Sequence, residues 1–121
     1  MSDTEVGLPF FMTVIEKAVK YGDSWAEAKQ ISWRLEELKK SVLAEIMNRL
    51  GDEAAKRSEK ITEAKLERMA MASKEYIDHV TAMTQARSEE IKMHVRYTAC
   101  LNSFEARRSV ASLEKKKIAL L

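Results

Sequence analysis

Two groups of basic side chains are the residues in this sequence best suited to chemistry. One surrounds the segment between two predicted helices, and the other lies toward the carboxyl end. Together they comprise Lys56, Arg57, Lys60, Lys65, Arg68, Arg107 and Arg108. Closely spaced cations neutralise successive phosphates of a nucleic acid, and proteins that bind single strands add aromatic rings on which bases stack. The pattern is compatible with binding of nucleic acid, with Tyr76 as the candidate stacking residue, and solvated helix faces are the alternative.

The charge of the chain is unevenly distributed. Residues 1–55 carry 7 basic and 10 acidic side chains, whereas residues 56–121 carry 14 basic and 9 acidic ones. The net charge of the whole chain is only +2. An acidic half joined to a basic half favours either a polyanionic ligand or contacts between the acidic part of one copy and the basic part of another.

Residue types that serve metal binding and catalysis do not occur at the spacings that these sites need. His79 and His94 are the only histidines, and Cys100 is the only cysteine, so no complete set of metal ligands can be assembled. Cys100 lies on an apolar stretch, where a thiol behaves as a small hydrophobic group. Glu89 and Glu90 are adjacent and point about 100° apart on a helix. The sequence therefore predicts a protein that is not an enzyme and has no metal or cofactor.

The composition favours an all-α fold. The 121 residues include only 3 glycines and 1 proline, and alanine, leucine, methionine, glutamate, lysine and arginine are all good helix formers. A single cysteine fits a reducing compartment, and no stretch approaches the roughly 20 apolar residues of a membrane span. We therefore expect a cytoplasmic protein, located in the host cytoplasm if a phage encodes it.

The predicted domain organisation is a flexible amino terminus over residues 1–8 and a single helical domain over residues 9–121. Helices are predicted at about 9–21, 24–50, 62–72 and 73–120. Gly22 and Gly51 are predicted to end the first two helices, and residues 51–61 to form a loop. Thr62 and Ser73 are predicted to cap the last two helices. On the second helix the apolar spacing predicts a buried seam of Ala28, Ile31, Leu35, Leu38, Val42 and Glu45.

The last predicted helix is long enough to span roughly 70 Å, and no other predicted helix matches it. One seam on it runs with 3-4 spacing from Met83 through Phe104 to Leu121, although three of its positions are charged, and a second runs from Ile77 to Leu101. Two partly polar seams on one helix are typical of a helix that contacts several neighbours. The sequence predicts a helical hairpin or bundle that forms a homo-oligomer. The predicted interface residues are Ile77, Val80, Met83, Ile91, Tyr97, Leu101 and Phe104.

Part of the chain resembles a known family. The segment Lys60-Ile-Thr-Glu-Ala-Lys-Leu-Glu, followed by Ser73-Lys-Glu-Tyr76, precedes a long helix containing Phe104-Glu-Ala-Arg-Arg-Ser109. This arrangement resembles small helical bacteriophage proteins related to the UvsY-type recombination mediators. The chain departs from their pattern in lacking an Asp-Pro before the tyrosine and in carrying an extra helix at residues 9–21.

The resemblance implies a helical protein that assembles into homo-oligomeric rings and binds single-stranded DNA. It implies two protein partners, a strand-exchange recombinase and a single-strand-binding protein that the recombinase replaces. Lys60, Lys65 and Arg68 match the element that contacts DNA. Arg107 and Arg108 match the family's aromatic-x-x-Arg segment, for which a structural role is the alternative to DNA contact.

The leading hypothesis is a recombination mediator that binds single-stranded DNA and helps load a recombinase in place of a single-strand-binding protein. A helical assembly or adaptor protein without DNA binding is one alternative. In that case the acidic helix of one copy contacts the basic end of the next, and charge reversal at Arg107 and Arg108 dissociates the particle. A phage-encoded inhibitor of a host protein is the other alternative.

Overall fold

The computed structural model describes the backbone of residues 3–120 and the side chains of residues 12–120. Three helices make up most of that backbone: α1 spans Asp3–Lys56, α2 spans Glu63–Met71 and α3 spans Lys74–Leu120. No strand occurs among the residues that the structure describes, so the prediction of an all-α fold is confirmed. The first two residues of the predicted flexible terminus and the side chains of Phe10 and Phe11 lie outside the described part of the chain.

Helix α1 passes through both glycines at which the sequence predicts helix ends. The predicted bounds 9–21 and 24–50 are therefore wrong, because Asp3–Lys56 is one helix of 54 residues. A glycine inside a helix costs only about 1 kcal/mol relative to alanine, which packing along a long helix can offset. At Gly22 the missing side chain makes room for a neighbour, since a Cβ atom there would lie 3.1 Å from Cε2 of Tyr97.

The end of α1 is set by hydrogen bonds rather than by Gly51. The Ser58 N–H donates to the carbonyl oxygen of Ala55 at 3.1 Å, and the Glu59 N–H donates to that of Ala54 at 2.9 Å. This pair of bonds is the Schellman motif, which places its C′ residue in the left-handed region. Ser58 takes that position with a φ of 56°. The segment between α1 and α2 is therefore residues 57–62, shorter than the predicted loop 51–61.

The predicted caps of α2 and α3 are confirmed. The Lys65 N–H donates to Thr62 Oγ1 at 3.2 Å, and the Tyr76 N–H donates to Ser73 Oγ at 3.3 Å. The Ser73 hydroxyl also donates to the carbonyl oxygen of Ala70 at 2.6 Å. Each cap satisfies a backbone N–H that the first turn of a helix leaves without a partner. Ser73 in addition ties the end of α2 to the start of α3.

The expectation that no helix in the chain matches the length of the last one is wrong. Helix α3 has 47 residues and α1 has 54. The reason is the same continuity through Gly22 and Gly51, since the sequence splits this one helix into two shorter ones. The length of α3 alone therefore no longer requires other copies of the chain.

The chain divides into two compact units, and α1 and α3 contribute to both. Unit 1 comprises residues Met1–Glu27 and Glu90–Leu121, and unit 2 comprises Ala28–Glu89. In unit 1 the two helix segments are antiparallel, because the Cys100 thiol donates to the carbonyl oxygen of Val14, whereas His94 lies against Trp25. The ring centroids of Trp25 and Tyr97 are 5.7 Å apart in a stacked arrangement.

Unit 2 contains the better-developed core. Ile46 of α1, Ala70 of α2 and Tyr76 of α3 form a buried cluster, so all three helices contribute. Partly buried hydrophobic side chains pack around it, namely Val42, Leu43, Met47, Leu50 and Val80. An ion pair on the surface also joins α1 to α3, with Arg49 Nη1 2.7 Å from Glu75 Oε1.

The predicted seams agree with the structure only in part on both long helices. On α3 the first seam is partly buried from Met83 to Phe104 but exposed at its later positions, and the second seam is exposed at every position except Val80. On α1 the predicted Ala28, Leu35 and Val42 do face inward. The intervening Ile31, Leu38 and Glu45 are exposed, and Ser32, Lys39 and Ile46 are buried or partly buried in their place. The prediction was wrong at these positions because polar residues at 32 and 39 hide the true 3-4 spacing.

Candidate nucleic-acid interface

The five residues of the first basic cluster lie together in unit 2. Lys56 ends α1, and Arg57 and Lys60 follow it in the connecting segment. Lys65 and Arg68 lie about one turn apart on α2. All five side chains are exposed, so the cluster is available to a ligand in solution. We refer to these five residues as the basic turn.

The local fold explains why the basic turn faces solvent. Leu66 is partly buried and Ala70 is fully buried, so one face of α2 is held against the rest of unit 2. Lys65 and Arg68 lie three residues apart on the other side of this short helix. The Thr62 cap fixes the start of α2. The cations are therefore carried on a backbone that is anchored at both ends.

The basic turn has a modest positive surplus. Residues 56–68 contain five basic and three acidic side chains. Arg57 Nε lies 3.6 Å from Glu59 Oε1, and both side chains are more than half exposed. Exposed ion pairs of this kind contribute about 0–1 kcal/mol, so Arg57 can exchange Glu59 for a phosphate at little cost. The site can make several weak phosphate contacts.

The second basic cluster belongs to the other unit. Arg107 and Arg108 lie on the part of α3 in unit 1, and both are exposed. Arg108 Nη1 is 3.8 Å from Glu105 Oε1 on the same helix. Of the seven predicted DNA-binding residues, the structure brings five together in unit 2 and these two in unit 1.

Tyr76 cannot serve as the stacking residue that the sequence predicts. Its side chain is only 6% exposed and forms part of the core of unit 2. The prediction was wrong because the burial of Tyr76 depends on the docking of α2, which brings Ala70 against it. No face of the ring is open to a base.

Trp33 is an exposed aromatic residue that the sequence analysis overlooked. It lies on α1 in unit 2 and is 66% exposed. The seam of α1 runs through Ala28, Ser32 and Leu35. Because Trp33 directly follows Ser32, its side chain points away from this seam, and helical spacing indicates that it is exposed. Within unit 2 it is the exposed ring best able to stack on a base.

The seven predicted interface residues fall into two classes. Val80, Met83, Tyr97 and Phe104 are partly buried within the chain itself. Ile77, Ile91 and Leu101 are exposed, two of them by more than half. The prediction that all seven mediate contacts between copies remains untested, but only the second class is free of a clear role inside the fold.

Unit 1 exposes more apolar surface than its two helix segments can cover. Three exposed hydrophobic residues of α1 and three of α3 are close in sequence within each helix. They are Met12, Ile15, Val19, Ile91, Val95 and Leu101. We refer to these six residues as the unit 1 apolar face. The residues from α1 were not among the predicted interface residues, although their 3-4 spacing resembles that of a seam.

The residue types that usually bind metals or act as nucleophiles make structural contacts. The His79 Nε2–H donates to the carbonyl oxygen of Leu35 at 2.8 Å. His94 packs on Trp25 with ring centroids 4.6 Å apart, and the Cys100 thiol donates to the Val14 carbonyl oxygen at 3.4 Å. Among the described residues there is no group of three or more histidine, cysteine, aspartate or glutamate side chains placed to hold a metal ion. Within the same residues, no helical stretch is both long and apolar enough to cross a lipid bilayer.

No protein-family model, curated protein or solved structure gave a significant match to the chain. The resemblance of residues 60–76 to the UvsY-type mediators therefore stays a prediction.

Proposed function

We propose that this protein is a non-enzymatic helical accessory protein that binds single-stranded DNA through the basic turn and acts as an assembly of several copies. The observation that carries the proposal is the convergence of five exposed cations on residues 56–68 of unit 2. The contacts that this proposal assigns to the basic turn are phosphate contacts, because Tyr76 is buried and cannot stack on a base.

The strength of such binding depends on salt and on the number of copies. Five phosphate contacts to a single strand correspond to a slope of about −3.5 in log K against log salt concentration, which is about a 100-fold loss between 50 and 200 mM. One basic turn therefore binds weakly at physiological salt. Several copies linked in one particle raise the overall affinity, because the later contacts become intramolecular.

Within recombination, the proposed role is that of a mediator that loads a recombinase in place of a single-strand-binding protein. The support for this role is the resemblance of residues 60–76 to the UvsY-type family. Weak, multiple phosphate contacts suit a mediator, because they hold the strand while leaving the bases free to pair. The two partners are then the recombinase and the single-strand-binding protein.

The binding proposal is tested by titrating a fluorescent oligonucleotide with the protein and following anisotropy at several salt concentrations. The test variant replaces three members of the basic turn, Lys60→Gln, Lys65→Gln and Arg68→Gln. We expect the salt slope to become shallower by about 2. The matched control replaces three exposed lysines outside both clusters, Lys17→Gln, Lys20→Gln and Lys40→Gln, and should leave the slope unchanged.

Two results contradict the proposal. One is the absence of single-strand binding at 50 mM salt. The other is an equal loss of affinity in the test and control variants, because binding would then follow total charge rather than the basic turn. The mediator role is tested separately by adding the protein to strands already covered by a single-strand-binding protein and measuring the rate at which a recombinase filament forms. An unchanged rate contradicts that role alone.

A second candidate is an assembly or adaptor protein that does not bind DNA. The observation that favours it is the unit 1 apolar face, which offers a surface for another protein chain. If the copies associate by contact between the acidic helix of one and the basic end of the next, Arg107→Glu together with Arg108→Glu should dissociate the particle. Native mass spectrometry with and without a short oligonucleotide separates the two candidates, because only the first predicts a DNA-bound species.

A further inference from the structure

The six residues of the unit 1 apolar face lie on one side of an antiparallel pair of helix segments. The residues packed between the segments follow a heptad pattern, with its a and d positions at Val14, Ala18, Tyr21 and Trp25 on α1 and at Met93, Tyr97, Cys100 and Phe104 on α3. In this register the b and e positions include Met12, Ile15 and Val19 on α1. On α3 they include Ile91 and Leu101, with Val95 beside them. In an antiparallel pair, the b and e positions of both helices border the same side.

The opposite side of the same pair is polar. Its c and g positions include Lys17 and Lys20 on α1 and Lys92 and Arg96 on α3, all of them exposed. Over residues 12–27 and 91–104, unit 1 therefore has one charged side and one apolar side. A helix pair that is stable alone in water does not need an exposed apolar side.

The size of the face is appropriate for a protein contact. Its six side chains are each between 39% and 60% exposed, which amounts to roughly 500 Å² of apolar surface, in the range of patches that are often functional. With the surrounding polar edge, the buried surface would approach the roughly 800 Å² per partner of a standard interface.

We propose that the unit 1 apolar face binds the same face of a second copy of this chain, so that two helix segments from each protomer form a four-helix bundle. The pairing deepens the proposed function and rests on it for its role, because it joins at least two basic turns in one particle. It does not require DNA to form.

Charge at the edges of the face favours one arrangement of the two copies. On α1 the face is bordered by Glu16 and Asp23, both exposed. Residues 91–104 of α3 contain no acidic residue, and their two basic side chains, Lys92 and Arg96, lie on the polar side. A twofold axis parallel to the helices sets α1 of one copy against α3 of the other, which keeps the acidic edges of the two α1 helices apart. Pairing α1 with α1 would instead oppose acid to acid.

The first test measures the mass of the protein in solution without DNA, by light scattering during gel filtration. We expect the wild type at 100 µM to have at least twice the 13.8 kDa mass of one chain. Val19→Lys combined with Ile91→Lys adds two charges to the face and should reduce that mass at least twofold. The control, Ala99→Lys combined with Ser103→Lys, adds the same charges to the polar side and should leave the mass unchanged.

The second test reports the arrangement without depending on the stability of a lysine variant. In a Cys100→Ala background, Val19→Cys and Thr98→Cys place cysteines at b positions on the two helices. The proposed arrangement predicts a disulfide-linked dimer when both cysteines are present and little linkage with Val19→Cys alone. Circular dichroism confirms that each variant retains its helices.

The outcomes separate this inference from the proposed function. A monomeric wild type at 100 µM, or a face variant whose mass equals that of the wild type, overturns the pairing. Efficient linkage through Val19→Cys alone overturns the proposed arrangement of the two copies. A particle that pairs as expected but does not bind a single strand overturns the DNA-binding function and leaves the pairing in place.

Discussion

Unit 2 has a core to which three helices contribute, whereas unit 1 is built from two helix segments and buries fewer hydrophobic residues; both units expose hydrophobic side chains. Three helices meet around Ile46, Ala70 and Tyr76 in unit 2, and hydrogen-bonded caps fix the starts of two of them. In unit 1 only two helix segments pack together, and among its described residues Val14 is the buried hydrophobic one. The difference is that a third helix, α2, joins α1 and α3 in unit 2, whereas unit 1 has only two helix segments.

The largest expected difference between the units concerns one aromatic residue in each. Tyr76→Ala removes a buried ring from the core of unit 2 and should lower the free energy of unfolding by about 3 kcal/mol or more. Trp25→Ala in unit 1 should cost about 2 kcal/mol, because this side chain is only partly buried and loses mainly its ring contacts. Urea denaturation followed by circular dichroism measures both. An equal or larger cost for Trp25→Ala would contradict the ranking of the two units.

The cap between α2 and α3 provides a smaller test of unit 2. Ser73→Ala removes the acceptor for the Tyr76 N–H and the donor to the Ala70 carbonyl oxygen, and should cost about 1 kcal/mol. The control is Ser41→Ala at an exposed position within α1, which should be neutral or slightly stabilising because alanine favours helix. Equal effects of the two changes in a urea titration would show that the Ser73 hydroxyl does not act as a cap.

The two glycines inside α1 allow a direct comparison of the units. Gly51→Ala in unit 2 should raise the free energy of unfolding by up to about 1 kcal/mol, since the added Cβ meets Leu66 Cδ1 at an ordinary 3.7 Å. Gly22→Ala in unit 1 should gain less, or destabilise, because its Cβ would lie 3.1 Å from the Tyr97 ring. The measurement is the urea midpoint of each variant. Equal stabilisation by both would mean that Tyr97 does not need the space at Gly22.

The smallest expected effect concerns the end of α1. Ser58→Gly should stabilise the protein by about 0.5 kcal/mol, because glycine adopts the left-handed conformation without the steric cost that serine bears. Ser109→Gly at an exposed position inside α3 should destabilise it by a similar amount. Thermal unfolding of the two variants should therefore shift in opposite directions, and a shift in the same direction would argue against the Schellman motif.

Local signals in the sequence correctly predicted the caps of α2 and α3. The caps at Thr62 and Ser73 depend on residues within three positions, so they can be predicted without knowledge of the rest of the fold. The seam of α3 from Met83 to Phe104 also follows directly from 3-4 spacing. These features need no information about which helix lies opposite.

Features that depend on distant contacts were not predictable in the same way. Gly22 is predicted to end a helix, because its role depends on Tyr97, a residue distant in sequence whose ring packs where a Cβ atom would lie. The buried positions of α1 include two polar residues, Ser32 and Lys39, so the spacing of apolar residues alone does not identify them. Tyr76 is predicted to be exposed from the sequence, because its burial depends on the packing of α2 against it. For the candidate site, the cations of the basic turn could be predicted from the sequence, but the exposure of Trp33 and the side of α1 left uncovered in unit 1 depend on how the helices pack.

The central claim is that unit 1 is completed by a second copy and unit 2 is not. Amide hydrogen exchange, measured on the wild-type protein without DNA at a low and a high protein concentration, tests it most directly. The expected result is that protection at residues 12–27 and 90–104 increases with concentration while protection at residues 28–89 stays constant. Protection that is independent of concentration in both units, or that rises equally in both, would contradict the claim.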